Sequence, residues 1–442
     1  MKVLQVLTHF LPETVAGTEI YVWALSKELQ ALRQNVEIII PNYDNTKSAY
    51  YNYDDLNVFK YAETSVVNRA LIMGFKTPDG LEAFTNYLQL NKPDIVHFHA
   101  LTGSNGITLQ HVITAKNYGA KVFFTFHLAG ISCKTGSLLY KEDIQCDGKI
   151  DSAKCGSCYL HSKGYNKVGW ILNSASHVLF LLKINSTKWN NKIGTALGTS
   201  FLVDKQKKDF DSLIYHCDKV ITLTKWYRKI LLLNGVTSEK IVLIEQGLPI
   251  QVILDKENRI EETEKCLRLI FVGRISYFKG LHLLIDVIMQ LPKDSVKLDI
   301  YGQNDGTDYE QLLKEKSNEF TNIRWCGKMA QEEVMVTMKQ YDVLCLCSTF
   351  SEMSPLVIQE AFAAGIPVLA SNVYGNAEQI IPNENGWLFK FKDVIDLKLK
   401  IQQLLDNPTL IEIARQKKSD VRNFSLIALQ QLKAYKDVMQ AE

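Results

Sequence analysis

Residues 348–371 read STFSEMSPLVIQEAFAAGIPVLAS. Ser354-Pro355 has the form of a helix start, with Ser as N-cap and Pro as first helical residue. An apolar helix then runs to about Ala364, and Gly365-Ile366-Pro367 ends it before a strand, PVLAS. Glu352 precedes the start. Glu360 lies inside the helix, roughly 8 Å along at 1.5 Å per residue. A helix start offers unpaired N–H groups and the positive end of the dipole, which suits a phosphate. Carboxylates on either side of it suit a ligand with hydroxyls flanking a diphosphate, such as a nucleoside diphosphate sugar. Glu360 also stands among Val357, Ile358, Ala361 and Phe362, and a carboxylate in such company needs partners.

Outward from this stretch, short apolar runs alternate with amphipathic ones, the pattern of parallel α/β sheets with crossover helices. The expected strands are KVLQVL, VEIII, DIVHFH, KVFFTF, KVITL and KIVLI in the first half. RLIFVG, KLDIYG, IRWCG, DVLCLC and PVLAS follow in the second. A charged, polar run at 255–265 reads as a linker. The expected organisation is therefore α/β, with one doubly wound domain over 1–255 and a second over 266–442. Residues 133–200 are too long for a connection and read as an insertion in the first domain. No GxGxxG follows any strand, so the dinucleotide fingerprint is absent.

The 442 residues exceed one ordinary core, and 46% hydrophobic with 22% charged residues is the balance of a soluble globular protein. A net charge of +2 argues against a nucleic-acid partner. The opening MKVLQVLTHFLPE reads as a strand and not as a signal peptide. The most apolar segment, 168–184, is broken by Asn173, Ser174, Ser176 and His177 and is too short to span a bilayer. The expectation is a cytoplasmic protein, with peripheral contact at the inner face of a membrane left open. Of nine cysteines, Cys133, Cys146, Cys155 and Cys158 crowd one loop-like segment. That set suits a structural tetrahedral zinc in a reducing compartment, with free thiols or a disulfide as competing readings.

The second half of a phosphate pocket lies in FVGRISYFKGLHLL (271–284). A strand ends at Gly273, and Arg274 and Lys279 follow before a helix that begins after Gly280. Ligands of open α/β sheets bind at strand C-termini, where both cations stand. A guanidinium fork and an ammonium together suit a diphosphate whose charge grows as it leaves.

These runs resemble the retaining glycosyltransferases of family 4. The likeness rests on GR-x4-KG (273–280) and E-x7-E (Glu352 to Glu360). It extends through VLTHFLPETVAGTEIYVWALSKEL, TFH, QGL and YGNAEQIIPNENGWLF, and so covers nearly the whole chain. It implies the GT-B fold, two facing Rossmann-like domains with the active site between them, the last helix packing back on the first domain. It also implies that Arg274 and Lys279 hold the donor diphosphate and that Glu352 contacts donor-sugar hydroxyls. Glu360 would take the ribose, and the backbone of Ser354, Pro355 and Leu356 would receive the distal phosphate. Gly17, in a loop before a helix, would let the first domain approach the phosphates closely, Gly273 would also bind the donor, and His127 would face the donor sugar. The sequence departs from the family pattern at Ala16, Leu128, Met353 and Tyr374. These positions bear on donor identity.

The implied reaction is metal-independent transfer of a sugar with retention, from a UDP- or GDP-linked donor to a carbohydrate or lipid-linked hydroxyl. No cofactor is needed for it. Polysaccharide or glycoconjugate synthesis is the expected setting. Alternatives on the same plan are a nucleotide-sugar epimerase and a non-catalytic nucleotide-sugar binder. Residues 159–200 mix Trp, Leu, Phe and Lys. They read either as an interfacial helix near a lipid-linked acceptor or as a helical insertion packed on the core.

Overall fold

The computed structural model describes residues 1–43, 47–248, 266–417 and 421–440. The expected linker at 255–265 lies outside the described residues. The chain forms two compact units, Met1–Glu245 with Phe424–Glu442, and Gln246–Asn423.

In the first unit the strands are β1 Lys2–Val6, β2 Asn35–Asn42, β3 Ala49–Tyr53, β4 Leu56–Ala62, β5 Ile95–Phe98 and β6 Lys121–Phe126. They continue as β7 Leu139–Tyr140, β8 Ile144–Gln145, β9 Lys219–Thr222 and β10 Ile241–Leu243. Eight of them build one sheet in the order β10-β9-β6-β5-β1-β2-β4-β3, with β7 and β8 paired separately. Within the large sheet every pairing is parallel except β3 with β4. Strands buried on both faces read as apolar runs, as IVHF and KVFFTF do. The β3–β4 hairpin turns through Asp54 and Asp55, both left-handed (φ 50° and 61°), which matches the right-handed twist of the flanking strands. Trp23 Nε1 donates to Asp54 Oδ2 at 2.8 Å and ties the turn to helix Gly17–Ala31.

Helix Phe424–Gln440 belongs to this unit, although 178 residues of the other unit intervene in the chain (246 to 423). It buries Phe424, Ile427, Ala428, Gln431, Leu432 and Tyr435, spaced by three and four so that one face is sealed. The Phe424 ring meets Tyr21 edge-on at 5.2 Å, and the Tyr435 hydroxyl lies 2.6 Å from His97 Nδ1.

The second unit has one sheet, β11 Leu267–Val272, β12 Val296–Tyr301, β13 Ile323–Gly327, β14 Val343–Leu346, β15 Val368–Ser371 and β16 Gly386–Phe389. Its order is β13-β12-β11-β14-β15-β16, all parallel. Alternate residues feed two cores, one on each face, as period-2 strands require. Leu269, Phe271, Val343 and Cys345 join one, and Ile270, Leu344, Leu346 and Val368 the other. The order reverses between β11 and β14, and crevices at such a switch point are where open sheets bind ligands.

Candidate active site

The C-terminal ends of β11 and β14 carry the polar groups of the second unit. After β11, Gly273 leads to Arg274, which is exposed and has no partner among the described residues. Lys279 closes a short turn, Tyr277–Lys279. Its Nζ lies 2.6 Å from Glu352 Oε1 and 5.6 Å from the centre of the Phe350 ring. Ser348 Oγ donates to the same carboxylate oxygen at 2.7 Å. Glu352 is thus a buried carboxylate held by one cation and one hydroxyl.

Two glycines explain how these loops come together. Gly280 is left-handed (φ 67°), and a Cβ there would sit 1.8 Å from the Cys347 carbonyl oxygen. Only glycine lets the β11 loop approach the end of β14 so closely. The Thr349 N–H donates to Phe278 O at 2.7 Å and locks the contact. On the other side a Cβ on Gly375 would meet Glu352 O at 2.0 Å. The Glu352 loop is therefore clamped by backbone packing.

The helix that follows runs Leu356–Ala363, with Pro355 as its cap. This corrects the expected start, which put Ser354 at the cap and Pro355 inside the helix. Pro355 has ψ 124°, an extended value, and no side chain caps the helix. The donors of the first turn therefore begin at Leu356. Glu360 is buried in the second turn and accepts from Gln331 Nε2 at 2.5 Å. Burial pushes its carboxyl up to about 7, with the Gln331 bond opposing.

In the first unit, His99 and His127 stand at the ends of the neighbouring parallel strands β5 and β6. His99 Nε2 lies 2.7 Å from Gln5 Oε1 and must donate to it. That leaves His99 Nδ1 to accept from His127 Nε2 at 3.0 Å, so the remaining nitrogen of His127 is an acceptor. Burial holds both rings neutral, with His127 lowered to about 3. Both line a cavity of about 570 Å³ with Leu128, Lys134, Lys205 and Asp209. Burial, then the neighbouring Lys205, lowers the Lys134 ammonium. The cavity is thus apolar over much of its wall, with three amines (Lys76 is the third), one carboxylate and two neutral imidazoles. Gly17 is the first residue of helix Gly17–Ala31 and exposed, not a loop residue as expected, because Ala16 is already extended (φ −147°, ψ 175°) and serves as the cap.

Cys133, Cys146, Cys155 and Cys158 line one small cavity of about 20 Å³, all as free thiols. Cys146, Cys155 and Cys158 accept backbone N–H groups from Gly148, Asp151 and Lys141 at 3.3–3.5 Å. Among the described residues, no three His, Cys, Asp or Glu side chains are gathered as a metal-ligand set.

Sequence reasoning missed His99 and Gln331 as members of these sites. His99 is legible only as the end of a strand next to that of His127. Gln331 carries no local signal.

Residues 253–421 match the family model described as Glycosyl transferases group 1. An uncharacterized glycosyltransferase of Methanocaldococcus jannaschii is 29% identical over 212 residues, 47% of this chain and 54% of that protein. The match thus takes in little more than half of that relative. Sucrose-phosphate synthase from Thermosynechococcus elongatus superposes with a TM-score of 0.66 over 100% of both chains, at 18% identity. HepE of Anabaena, solved in complex with UDP-glucose, gives 0.60 over 99% of this chain and 100% of that one, at 13%. The fold class is GT-B, with two Rossmann-like units, and these likenesses support a member of the glycosyltransferase superfamily.

Proposed function

We propose that this chain is a retaining glycosyltransferase of the family-4 type. It moves a sugar from a nucleoside diphosphate donor to an acceptor hydroxyl in polysaccharide or glycoconjugate synthesis. The observation that carries the reading is the switch point of the second unit, where Lys279 and the Glu352 carboxylate meet at 2.6 Å beside exposed Arg274.

In this reading Arg274 and Lys279 take the diphosphate, and Gly273 and the Ser354–Leu356 backbone let it approach. Glu352 accepts from donor-sugar hydroxyls and Glu360 from the ribose. The bond from the anomeric carbon to the diphosphate breaks as the acceptor oxygen bonds to the same carbon on the same face. The acceptor proton passes to a departing phosphate oxygen, so configuration is retained. The growing negative charge is matched by the two cations and the helix start, without a metal. In the first unit, the free nitrogen of neutral His127 accepts from a sugar hydroxyl, and the cavity it lines receives the acceptor. UDP- or GDP-sugars are the expected donors, and the HepE complex favours trying UDP-glucose first.

A panel of UDP-, GDP- and ADP-sugars, scored for thermal stabilisation and nucleoside diphosphate release, tests the reading. One donor family should stabilise the protein. Lys279→Ala and Glu360→Ala should each cut transfer about a hundredfold or more. Near-normal rates in either variant would sink the assignment.

A further inference from the structure

Helix Gly169–Leu181 is inside out. The residues it buries are Gly169 and Ser176, while Trp170 is 70% and Leu181 67% exposed, with Ile171 and Val178 also outward. Small polar contacts seat it, along with the Phe180 ring, which meets Phe201 edge-on at 4.9 Å. The Ser200 N–H donates to Ser176 Oγ at 2.8 Å, and Ser176 Oγ donates to Ser200 Oγ at 3.1 Å. The apolar surface continues through Leu182, Ile184, Trp189 and Ile193, the last 66% exposed. A soluble surface seldom gathers so many large apolar side chains in one short segment.

Charge is as one-sided as hydropathy. Residues 152–203 contain no Asp or Glu, and Lys163, Lys167, Lys183, Lys188 and Lys192 are all exposed around the apolar row. A second copy of this chain docking symmetrically would set these lysines against one another. An anionic bilayer neutralises them, and its interface takes Trp at the headgroup level and aliphatic side chains just below. No helix of the described residues is long and apolar enough to cross a membrane, so the segment lies on the surface.

We propose that residues 163–193 form a docking face for an anionic lipid bilayer. The face adjoins the 570 Å³ cavity. Arg69 Nη2 donates to Thr187 O at 2.8 Å and Thr195 Oγ1 at 3.0 Å, fastening to this segment the helix Arg69–Ile72, whose exposed Ile72 lines the cavity. The inference does not depend on the proposed transfer chemistry.

Flotation of the full chain with phosphatidylcholine vesicles, with and without phosphatidylglycerol, tests it. The protein should float with the anionic vesicles, less so as salt rises, and with a blue shift of tryptophan emission. Trp170→Glu with Leu181→Glu should cut the floated fraction about tenfold or more. Each lysine turned to Gln should lower partitioning roughly fivefold, from about 1 kcal/mol per charge near the surface. Lysine-to-Arg exchange should preserve it. An unchanged melting temperature and unchanged nucleotide-sugar binding in Trp170→Glu would separate loss of docking from loss of fold or of donor site. The proposal is overturned if the chain stays unfloated with both vesicle types. It is overturned equally if sedimentation shows a dimer that Trp170→Glu splits, since the face would then join two copies.

Discussion

Glu360 changes its charge in the range where enzymes are assayed. A carboxyl whose native pKa is raised from 4.5 to about 7 holds its proton more tightly folded than unfolded. Its stabilising contribution is full below 4.5 and is lost as pH rises through 7. Glu360→Gln keeps an acceptor for Gln331 and removes the buried charge. It should stabilise the protein by roughly 3 kcal/mol above pH 7 and by nothing below 4.5, as denaturant titrations at several pH values would show. In the proposed site ribose hydroxyls donate to the ionised carboxylate, and on that reading donor affinity should weaken up to tenfold per pH unit below 7, with Glu360→Gln flattening that profile. A profile equally steep in the variant would remove Glu360 from the donor site. The candidate residues legible in the sequence are those whose position is local: cations just past a strand, a carboxylate in an apolar helix. Gln331 and His99 become visible only when a neighbouring element brings them to Glu360, 29 residues away, and to His127, 28 residues away.

Among the elements, the loops at the ends of β11 and β14 depend on two glycines. Gly280→Ala forces a side chain into a left-handed position and onto a carbonyl, which should cost about 3 kcal/mol or more. Gly375→Ala pushes directly on the Glu352 backbone and should weaken donor binding more than it lowers the melting temperature. Binding and melting curves on the two variants would distinguish these outcomes. Most of the parallel strands were readable because burial on both faces writes them as apolar runs, although not the short edge strand β16, GWLF. β3 and β4 were not, since YYNYDDLNVFKYA lies at a sheet edge, and its turn uses Asp-Asp in place of the Asn-Gly that usually marks a tight hairpin. The helix start moved by one residue because a proline's fixed φ suits both a cap and a first turn, and only ψ tells them apart.

Across the whole molecule, acid should act on one unit before the other. His97, His99, His111 and His127 are buried neutral in the first unit, all lowered by desolvation. Unfolding frees each to take a proton below 6.5, so stability present above that value is lost as pH falls, by about 1.4 kcal/mol per unit for each group. In the second unit, Glu360 gains stability over much of the same range and offsets His282, which burial also lowers. Calorimetry below pH 6.5 should show the first unit melting ahead of the second. A single transition shifting uniformly would refute this.

Helix Phe424–Gln440 completes the unit that the ribosome begins first. While the second unit is being synthesised, Tyr21 lacks Phe424 and His97 lacks Tyr435, so the nascent first unit carries an uncovered apolar flank. The second unit has all its residues once Asn423 has emerged. Folding on the ribosome thus runs against the usual order, and the earliest-made half is the last to close, a wait during which a chaperone has most to do.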